Sequence, residues 1–182
     1  MILVVWSSPN LDGLTATAAN NIVNGIKNVG MDVESVHLNA LNIETCKACG
    51  NGWGTCRPDG TCILSDDFAE VYGKLAKADG IVFVSAVYWH DITECMKALF
   101  DRMRRCDAFT NKYMKDKECM LVACAGGSGN GAVNCLANME KTMGHMGIKP
   151  VERLPVIRFN KDYMLPALIK AGEAFGEKIK NK

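Results

Sequence analysis

The chain alternates short apolar, β-branched runs with segments in which apolar residues recur at helical spacing. The apolar runs predict five strands, at residues 2–6, 31–38, 80–85, 118–124 and 149–159. The helical spacing predicts five helices, at residues 15–29, 66–77, 92–105, 130–146 and 162–180. Strands that are apolar throughout and alternate with helices indicate a parallel sheet covered on both faces. We therefore expect one doubly wound α/β domain over residues 1–182, interrupted by a loop insertion at 44–65.

Composition narrows the classes of function. The 182 residues carry a net charge of +1, so the basic footprint of a nucleic-acid-binding domain is missing. No apolar run is long enough to cross a membrane. The first residues, M-I-L-V-V-W, lack the basic lead-in of a signal peptide and resemble a buried strand. We expect a cytoplasmic protein that binds neither nucleic acid nor membrane.

Ligands of doubly wound domains bind outside the carboxyl ends of the strands, so the loops found there are the first candidates for a site. The loop after the first strand, residues 7–15, reads S-S-P-N-L-D-G-L-T and leads into a helix. Hydroxyl groups, a glycine and free N–H groups at a helix N-terminus favour anion binding. Both G-x-G-x-x-G and G-x-x-x-x-G-K-[S/T] are absent, which favours a single phosphate over a pyrophosphate. The alternative is a polar turn in which Thr15 only caps the helix.

Two further loops offer walls for a planar ligand. Residues 85–92, S-A-V-Y-W-H-D-I, place Tyr88 and Trp89 at the end of a buried strand. Residues 125–131, A-G-G-S-G-N-G, contain four glycines, which let the backbone approach a flat ring closely. The alternative for this loop is a flexible connection. A phosphate cradle, an aromatic wall and a glycine-rich wall at one edge match flavin mononucleotide (FMN).

The same residues carry a resemblance to a known family. Residues 80–102, G-I-V-F-V-S-A-V-Y-W-H-D-I-T-E-C-M-K-A-L-F-D-R, are similar to a G-S-P-x-Y-W-G stretch followed by a K-A-x-x-D-R helix. The first loop is similar to G-S-P-R-x-x-G-N-T. Both motifs are those of the flavodoxin-like NADPH-dependent FMN reductase family, and the chain resembles its iron–sulfur flavoprotein branch in particular. The resemblance implies a flavodoxin-like five-stranded parallel sheet with helices on both faces, FMN as cofactor and NAD(P)H as co-substrate.

The resemblance also implies roles for individual residues. The phosphate is expected on Ser8, Asn10, Gly13, Thr15 and the backbone N–H of Leu14. The isoalloxazine ring is expected to lie between two groups of residues, Ala86, Val87, Tyr88 and Trp89 on one side and Gly126, Gly127 and Ser128 on the other. Three positions depart from the family pattern: Leu14 replaces a polar residue, Ala86 a proline and His90 a glycine. His90 puts a titratable group near the flavin edge, where it either modulates the flavin or has no role.

Nine cysteines are present, and four of them, Cys46, Cys49, Cys56 and Cys62, lie in the 44–65 insertion. Disulfides are rare in the cytosol, so clustered thiols in a cytosolic protein indicate metal binding or redox chemistry. The resemblance implies a 4Fe-4S cluster on these four residues, although six residues separate Cys49 from Cys56, more than the compact spacing of that branch. A zinc knot and a set of plain thiols remain as alternatives. The other five are predicted to be small core residues: Cys95, Cys106, Cys119, Cys124 and Cys135.

These features predict an FMN-dependent oxidoreductase that passes electrons from NAD(P)H or a carrier protein to a small acceptor such as a quinone or free flavin. No side chain need act as a nucleophile, because the cofactor carries the chemistry. A flavodoxin-type electron carrier is the alternative, but such carriers are typically acidic. A non-catalytic thiol or metal sensor is a third hypothesis. We also predict a homodimer with the cysteine loop near its interface, since Trp53 and Trp89 are expected to be exposed.

Overall fold

The computed structural model describes all of residues 1–182, and its core is a single parallel sheet flanked by helices. The strands are β1 (Ile2–Ser7), β2 (Val33–His37), β3 (Gly80–Ala86), β4 (Glu118–Ala125) and β5 (Lys149–Ile157). The helices are α1 (Leu14–Asn28), α2 (Phe68–Lys77), α3 (Glu94–Cys106), α4 (Ala132–His145) and α5 (Lys161–Lys180). The sheet has the order β2-β1-β3-β4-β5, and all four pairings are parallel. This order is the flavodoxin-like one, which confirms the expected fold.

The sheet buries an apolar layer on each face. Helices α1 and α5 cover one face, where Ile22 and Phe175 belong to a single hydrophobic cluster. The cluster on the other face holds residues of α2, α3 and α4, and there Phe83 and Phe100 meet edge to face with ring centroids 4.9 Å apart. Helices α1 and α5 approach so closely that a Cβ on Gly25 would lie 2.0 Å from a backbone oxygen of α5. None of the five helices is long and apolar enough to cross a membrane.

Three helices, α2, α3 and α4, each begin two residues later than the sequence pattern predicts. Helix α2 begins at Phe68 with Asp67 as its N-cap residue, and the Asp66 carboxylate before it pairs with Arg102 of α3. Helix α3 begins at Glu94, and its N-cap is Thr93, whose hydroxyl accepts a hydrogen bond from the Met96 N–H at 3.3 Å. The periodic pattern extends past the true start of α3 because Ile92 in the entering loop also packs into the core.

The cysteine-rich insertion lies between a short 3₁₀ turn at Leu38–Ala40 and helix α2. It contains turns but no strand or α-helix, as the density of glycine predicts. At the other end of α3, the chain continues from Cys106 into one turn of π-helix, Asp107–Asn111. This π-turn packs against the insertion and is described with it below.

Candidate flavin and cysteine sites

The loop between β1 and α1 forms an open cradle at the carboxyl edge of the sheet. Gly13 is the N-cap residue of α1, and no side chain caps the helix. The amide side chain of Asn10 lies over Gly13, where a Cβ would come within 2.8 Å of Asn10 Nδ2. The Ser8 hydroxyl accepts a hydrogen bond from the Asn10 N–H at 3.2 Å. The first-turn N–H groups of α1 therefore remain available to an anion, as the phosphate hypothesis requires.

A network of buried hydroxyl groups packs beneath the β1–α1 loop that forms this cradle. The sequence analysis did not predict it. The Ser7 hydroxyl contacts the Thr93 hydroxyl and donates to Asn39 Oδ1 at 3.1 Å. His37 stacks on the Trp6 ring, and its Nε2 lies 2.8 Å from the carbonyl oxygen of Ser8. These contacts join the ends of β1 and β2 to the start of α3. Residues of three distant segments meet here, so no local pattern in the sequence could have indicated the network.

Two of the expected phosphate residues occupy different environments. Leu14 is the first residue of α1 and is only partly buried, so its backbone N–H lies at the open helix end. Thr15 is only 4% exposed, and its hydroxyl lies within hydrogen-bonding reach of the Cys124 thiol at the end of β4. Burial raises the pKa of the Cys124 thiol to about 12, while the Thr15 hydroxyl acts in the opposite direction. Thr15 thus faces the sheet edge, with its hydroxyl between the loop and β4.

The loop after β3 forms a tight turn that projects its aromatic residues outward. Tyr88 and Asp91 exchange two backbone hydrogen bonds, at 2.8 and 3.0 Å. The two central residues, Trp89 and His90, have φ values of 48° and 70°. Positive φ at both positions is the requirement of a type I′ turn, which normally selects asparagine and glycine. The turn leaves the Trp89 side chain 97% exposed.

The glycine-rich loop after β4 faces this turn across a cleft. The residues that line the cleft are Val87, Trp89, His90, Ala125, Gly126, Gly127, Ser128, Gly129 and Asn130. A Cβ on Gly126 or Gly127 would meet no atom within 4 Å, so a planar group can approach the backbone there. A Cβ on Gly131, by contrast, would lie 2.7 Å from the His90 Cα, so this glycine lets the two loops close against each other.

The structure brings most of the predicted ring-contacting residues together. Five of the seven line the cleft: Val87, Trp89, Gly126, Gly127 and Ser128. Tyr88 and Ala86 do not; Tyr88 forms the bridge to Asp91, and Ala86 is the last residue of β3. His90 joins the cleft wall, and Asn134 Nδ2 lies 3.3 Å from its Nδ1. The amide donates to Nδ1, which leaves Nε2–H as the donor of the neutral imidazole.

The four cysteines of the insertion line a second cavity, away from the cleft. Its wall also contains Arg102, Arg105 and Cys106 from the C-terminal half of α3. Helix α3 has 13 residues, so its two ends lie about 20 Å apart. The cleft adjoins the N-terminal end of α3, and the cysteine cavity adjoins the other end. No three His, Cys, Asp or Glu side chains converge closely enough to hold a single metal ion.

Cys106 was predicted to be a plain core residue, and it is buried, but it also faces the loop cysteines. Burial raises the pKa of the Cys106 thiol to about 12, and the neighbouring Cys62 and Cys56 thiols act in the same direction. Its place on α3, 44 residues from Cys62, hides this proximity from any local reading of the sequence. The other core cysteines on β4 and α4, Cys119, Cys124 and Cys135, are buried as predicted, and Cys95 is partly exposed.

The π-turn Asp107–Asn111 forms hydrogen bonds with the segment between Cys56 and Cys62. Asn111 Nδ2 donates to the carbonyl oxygen of Gly60 at 2.6 Å, and the Thr110 hydroxyl donates to that of Arg57 at 2.9 Å. These bonds fix the loop backbone directly between two of the cysteines. The π-turn therefore contributes to the position of the loop backbone that carries these thiols.

The environment of Trp53 differs from the expectation. Its ring packs edge to face against Phe109, with centroids 5.0 Å apart, and the Arg105 guanidinium lies 4.8 Å from the ring centroid. Trp53 is therefore half-buried within its own chain, and of the two tryptophans predicted to be exposed only Trp89 is open to solvent. The cover comes from α3 and the π-turn, which a reading of the glycine-rich loop by itself could not reveal.

Comparisons with known proteins agree with the arrangement of loops. The chain is 35% identical over 108 residues to an iron–sulfur flavoprotein of Methanosarcina thermophila, a match that covers 58% of this chain and 52% of that protein. The chain thus spans about half the length of this relative.

Two solved structures share the fold over nearly the whole chain. One is an NAD(P)H:quinone oxidoreductase from Methanothermobacter marburgensis, with a TM-score of 0.73, 14% identity and 96% of both chains covered. The other is a flavodoxin from the domain Archaea, with a TM-score of 0.66, 17% identity and 99% of both chains covered. The family model described as NADPH-dependent FMN reductase matches residues 1–160. This chain therefore belongs to the NADPH-dependent FMN reductase family.

Proposed function

We propose that the chain is an FMN-dependent oxidoreductase that accepts electrons from NAD(P)H or a carrier protein and passes them to a small acceptor such as a quinone or free flavin. The observation that carries the proposal is the cleft between the Tyr88–Asp91 turn and the glycine-rich loop, beside the uncapped start of α1. An open helix N-terminus, bare glycine backbone and an aromatic wall fit a phosphorylated planar cofactor. Family membership supports the same cofactor.

Each wall of the site has a separate task. The first turn of α1 and Asn10 would hold the phosphate, and the backbone of Gly126 and Gly127 would offer N–H donors to the ring. The exposed Trp89 ring would cover one face of the ring and exclude water from it. His90 lines the cleft, and its Nε2–H would be available to donate a hydrogen bond. The flavin itself would supply the hydride and electron transfer.

We further propose that the cysteine cavity holds a 4Fe-4S cluster. A single zinc ion with Zn–S bonds near 2.3 Å needs thiolates roughly 3.8 Å apart. No group of three metal-ligating side chains meets that requirement, whereas the four loop thiols line one cavity and match in type and number the four thiolates of a 4Fe-4S cluster. The buried Nε of Arg102 has no hydrogen-bond partner in the cavity wall, which also fits a site for an anionic sulfur. A flavodoxin-type carrier is less well supported, because the net charge is +1.

Anaerobic purification followed by cofactor analysis tests these proposals. We expect a yellow-brown protein with one FMN per chain, identified by chromatography of the released flavin, and iron and sulfide near four each per chain. FAD, or no flavin after reconstitution, would contradict the flavin proposal. Stopped-flow reduction with NADH and NADPH then separates a reductase from a carrier, since a pure carrier is reduced only by a partner protein.

A further inference from the structure

Arg102 is a fully buried cation in the wall of the cysteine cavity. Its side chain is 1% exposed, and Nη1 and Nη2 donate to the two carboxylate oxygens of Asp66 at 2.5 and 2.8 Å. Nη1 also donates to the carbonyl oxygen of Glu44 at 3.1 Å, and the guanidinium lies 4.2 Å from the centroid of the Phe68 ring. These contacts fix the plane of the guanidinium, and Asp66 balances its charge.

One nitrogen of this guanidinium is left without a partner. Arg102 Nε is buried and has no partner in hydrogen-bond geometry. The Cys62 side chain lines the same cavity as this guanidinium. A thiol is a weak acceptor, whereas a thiolate is a strong one. The unpaired donor therefore has a natural acceptor once Cys62 is deprotonated.

We propose that Arg102 is the positioning residue of the cysteine site, whose Nε–H donates to the Cys62 sulfur when that sulfur binds the cluster. The inference rests on the cluster proposed above. Hydrogen bonds to cluster sulfurs stabilise the reduced state, in which the sulfurs carry more negative charge, and so raise the reduction potential. Because Asp66 balances the charge of Arg102, the effect comes mainly from one directed N–H and not from a bare cation.

Arg105 provides a matched control, because it lines the same cavity and its guanidinium is engaged with Gly52 and Trp53. Its Nη1 donates to the carbonyl oxygen of Gly52, and its guanidinium stacks on Trp53. Arg102→Lys and Arg105→Lys both keep the positive charge, but only the first removes an Nε–H next to Cys62. The comparison thus separates the hydrogen bond from the charge.

The test is an anaerobic redox titration of both variants and the wild type. At a fixed potential we expect the ratio of reduced to oxidised cluster to fall about tenfold in Arg102→Lys, which equals about 59 mV for one electron. The potential of the FMN should stay unchanged, and Arg105→Lys should match the wild type. An unshifted cluster potential in a folded, iron-loaded Arg102→Lys protein would overturn the inference while leaving the cluster itself intact.

If Arg102→Lys does not fold, a second measurement on the wild type tests whether Arg102 donates a hydrogen bond to the cluster. Wild-type protein labelled with ¹⁵N only in the guanidinium groups of arginine is reduced, and its cluster signal is recorded by pulsed electron paramagnetic resonance. We expect a ¹⁵N coupling from one guanidinium nitrogen, retained in Arg105→Lys. A cluster signal without this coupling refutes the role of Arg102. Wild type that takes up no iron on reconstitution defeats the cluster proposal, and this inference with it.

Discussion

At the scale of single residues, Thr15 connects the phosphate loop to the sheet. Its hydroxyl is buried beside Cys124, at the position where the resemblance expects a phosphate contact. We predict that Thr15→Ala weakens FMN binding roughly ten- to a hundredfold, because a hydrogen bond to a charged group contributes about 1.5–3 kcal/mol. Titration of flavin fluorescence measures the effect. Thr142→Ala, which removes a hydroxyl bonded within α4, should leave the dissociation constant unchanged, and equal affinities in both variants would contradict a phosphate role.

His90 stands at a position whose backbone favours glycine. Its φ of 70° lies in the left-handed region, which costs a residue with a Cβ roughly 1–3 kcal/mol. A glycine at this position removes the strain in the folded state, but its greater backbone freedom also stabilises the unfolded state. The first effect is the larger, so His90→Gly should raise the free energy of unfolding by roughly 0.5–1 kcal/mol. Urea denaturation of flavin-free protein checks the sign. The same substitution at His145, the last residue of α4, should lower that free energy, and a loss of stability at both positions would argue against strain at His90.

Asp107 predicts a pH dependence of stability. Burial raises the pKa of its carboxyl, against the hydrogen bonds from the Met114 N–H and the Tyr72 hydroxyl, which lower it. Because the native pKa exceeds the unfolded value of about 3.9, this group stabilises the fold below pH 4 and loses that contribution as pH rises through the native pKa. The free energy of unfolding of Asp107→Asn, relative to that of the wild type, should therefore increase from pH 3 towards neutrality.

The exposed Asp116 is the control, because its contribution to the free energy of unfolding changes with pH in the opposite direction. Its hydrogen bond with Lys149 lowers the pKa of its carboxyl, so its contribution is present above the unfolded pKa and is lost as pH falls. Thermal denaturation of Asp116→Asn across the same pH range should show wild type gaining stability over the variant as pH rises. Parallel slopes for the two variants would show that burial of Asp107 does not set its titration.

At the scale of elements, the cysteine loop and α3 form one unit around the second cavity. If the four loop thiols bind the cluster, Cys56→Ser should remove most of the iron and sulfide while FMN stays bound at the separate cleft. Cys106→Ser changes a thiol of the same cavity wall but leaves all four loop thiols, so it should keep its iron. Iron and flavin analysis of anaerobically reconstituted proteins distinguishes them. Loss of iron in Cys106→Ser alone would mean that the helix supplies the ligand and the loop does not.

The sequence predicted elements well wherever the structure depends on local periodicity. All five strands and five helices exist, since apolar runs and helical spacing reflect which faces the sheet buries. The start of α2 was wrongly predicted at Asp66, whose carboxylate pairs with Arg102, 36 residues away. The loops after β1, β3 and β4 could be proposed as a flavin site because the carboxyl ends of parallel strands converge by topology. Cys106 and the free Nε of Arg102 could not be identified, since they enter the cavity wall only through tertiary packing.

At the scale of the whole molecule, the two sites lie at opposite ends of α3, about 20 Å apart along its axis. Electron tunnelling slows exponentially with distance, so two cofactors at these sites would exchange electrons slowly within one chain. An assembly in which the cleft of one chain faces the cysteine loop of another would shorten the path. This argument favours the predicted homodimer, although Trp53 no longer supports it.

The apolar surface at the carboxyl edge of the sheet supplies the test of that dimer. Trp89, Val133 and Phe159 are 97%, 70% and 85% exposed around the cleft, more apolar surface than one edge of a monomer usually leaves in water. We expect light scattering at micromolar concentration to give about 40 kDa, twice the chain mass of 19.8 kDa. Phe159→Lys should shift the protein towards 20 kDa, since a charge in an apolar interface is costly to bury. A wild type that is a uniform monomer would refute the dimer, and a Phe159→Lys protein that stays at about 40 kDa would place the interface elsewhere on the chain.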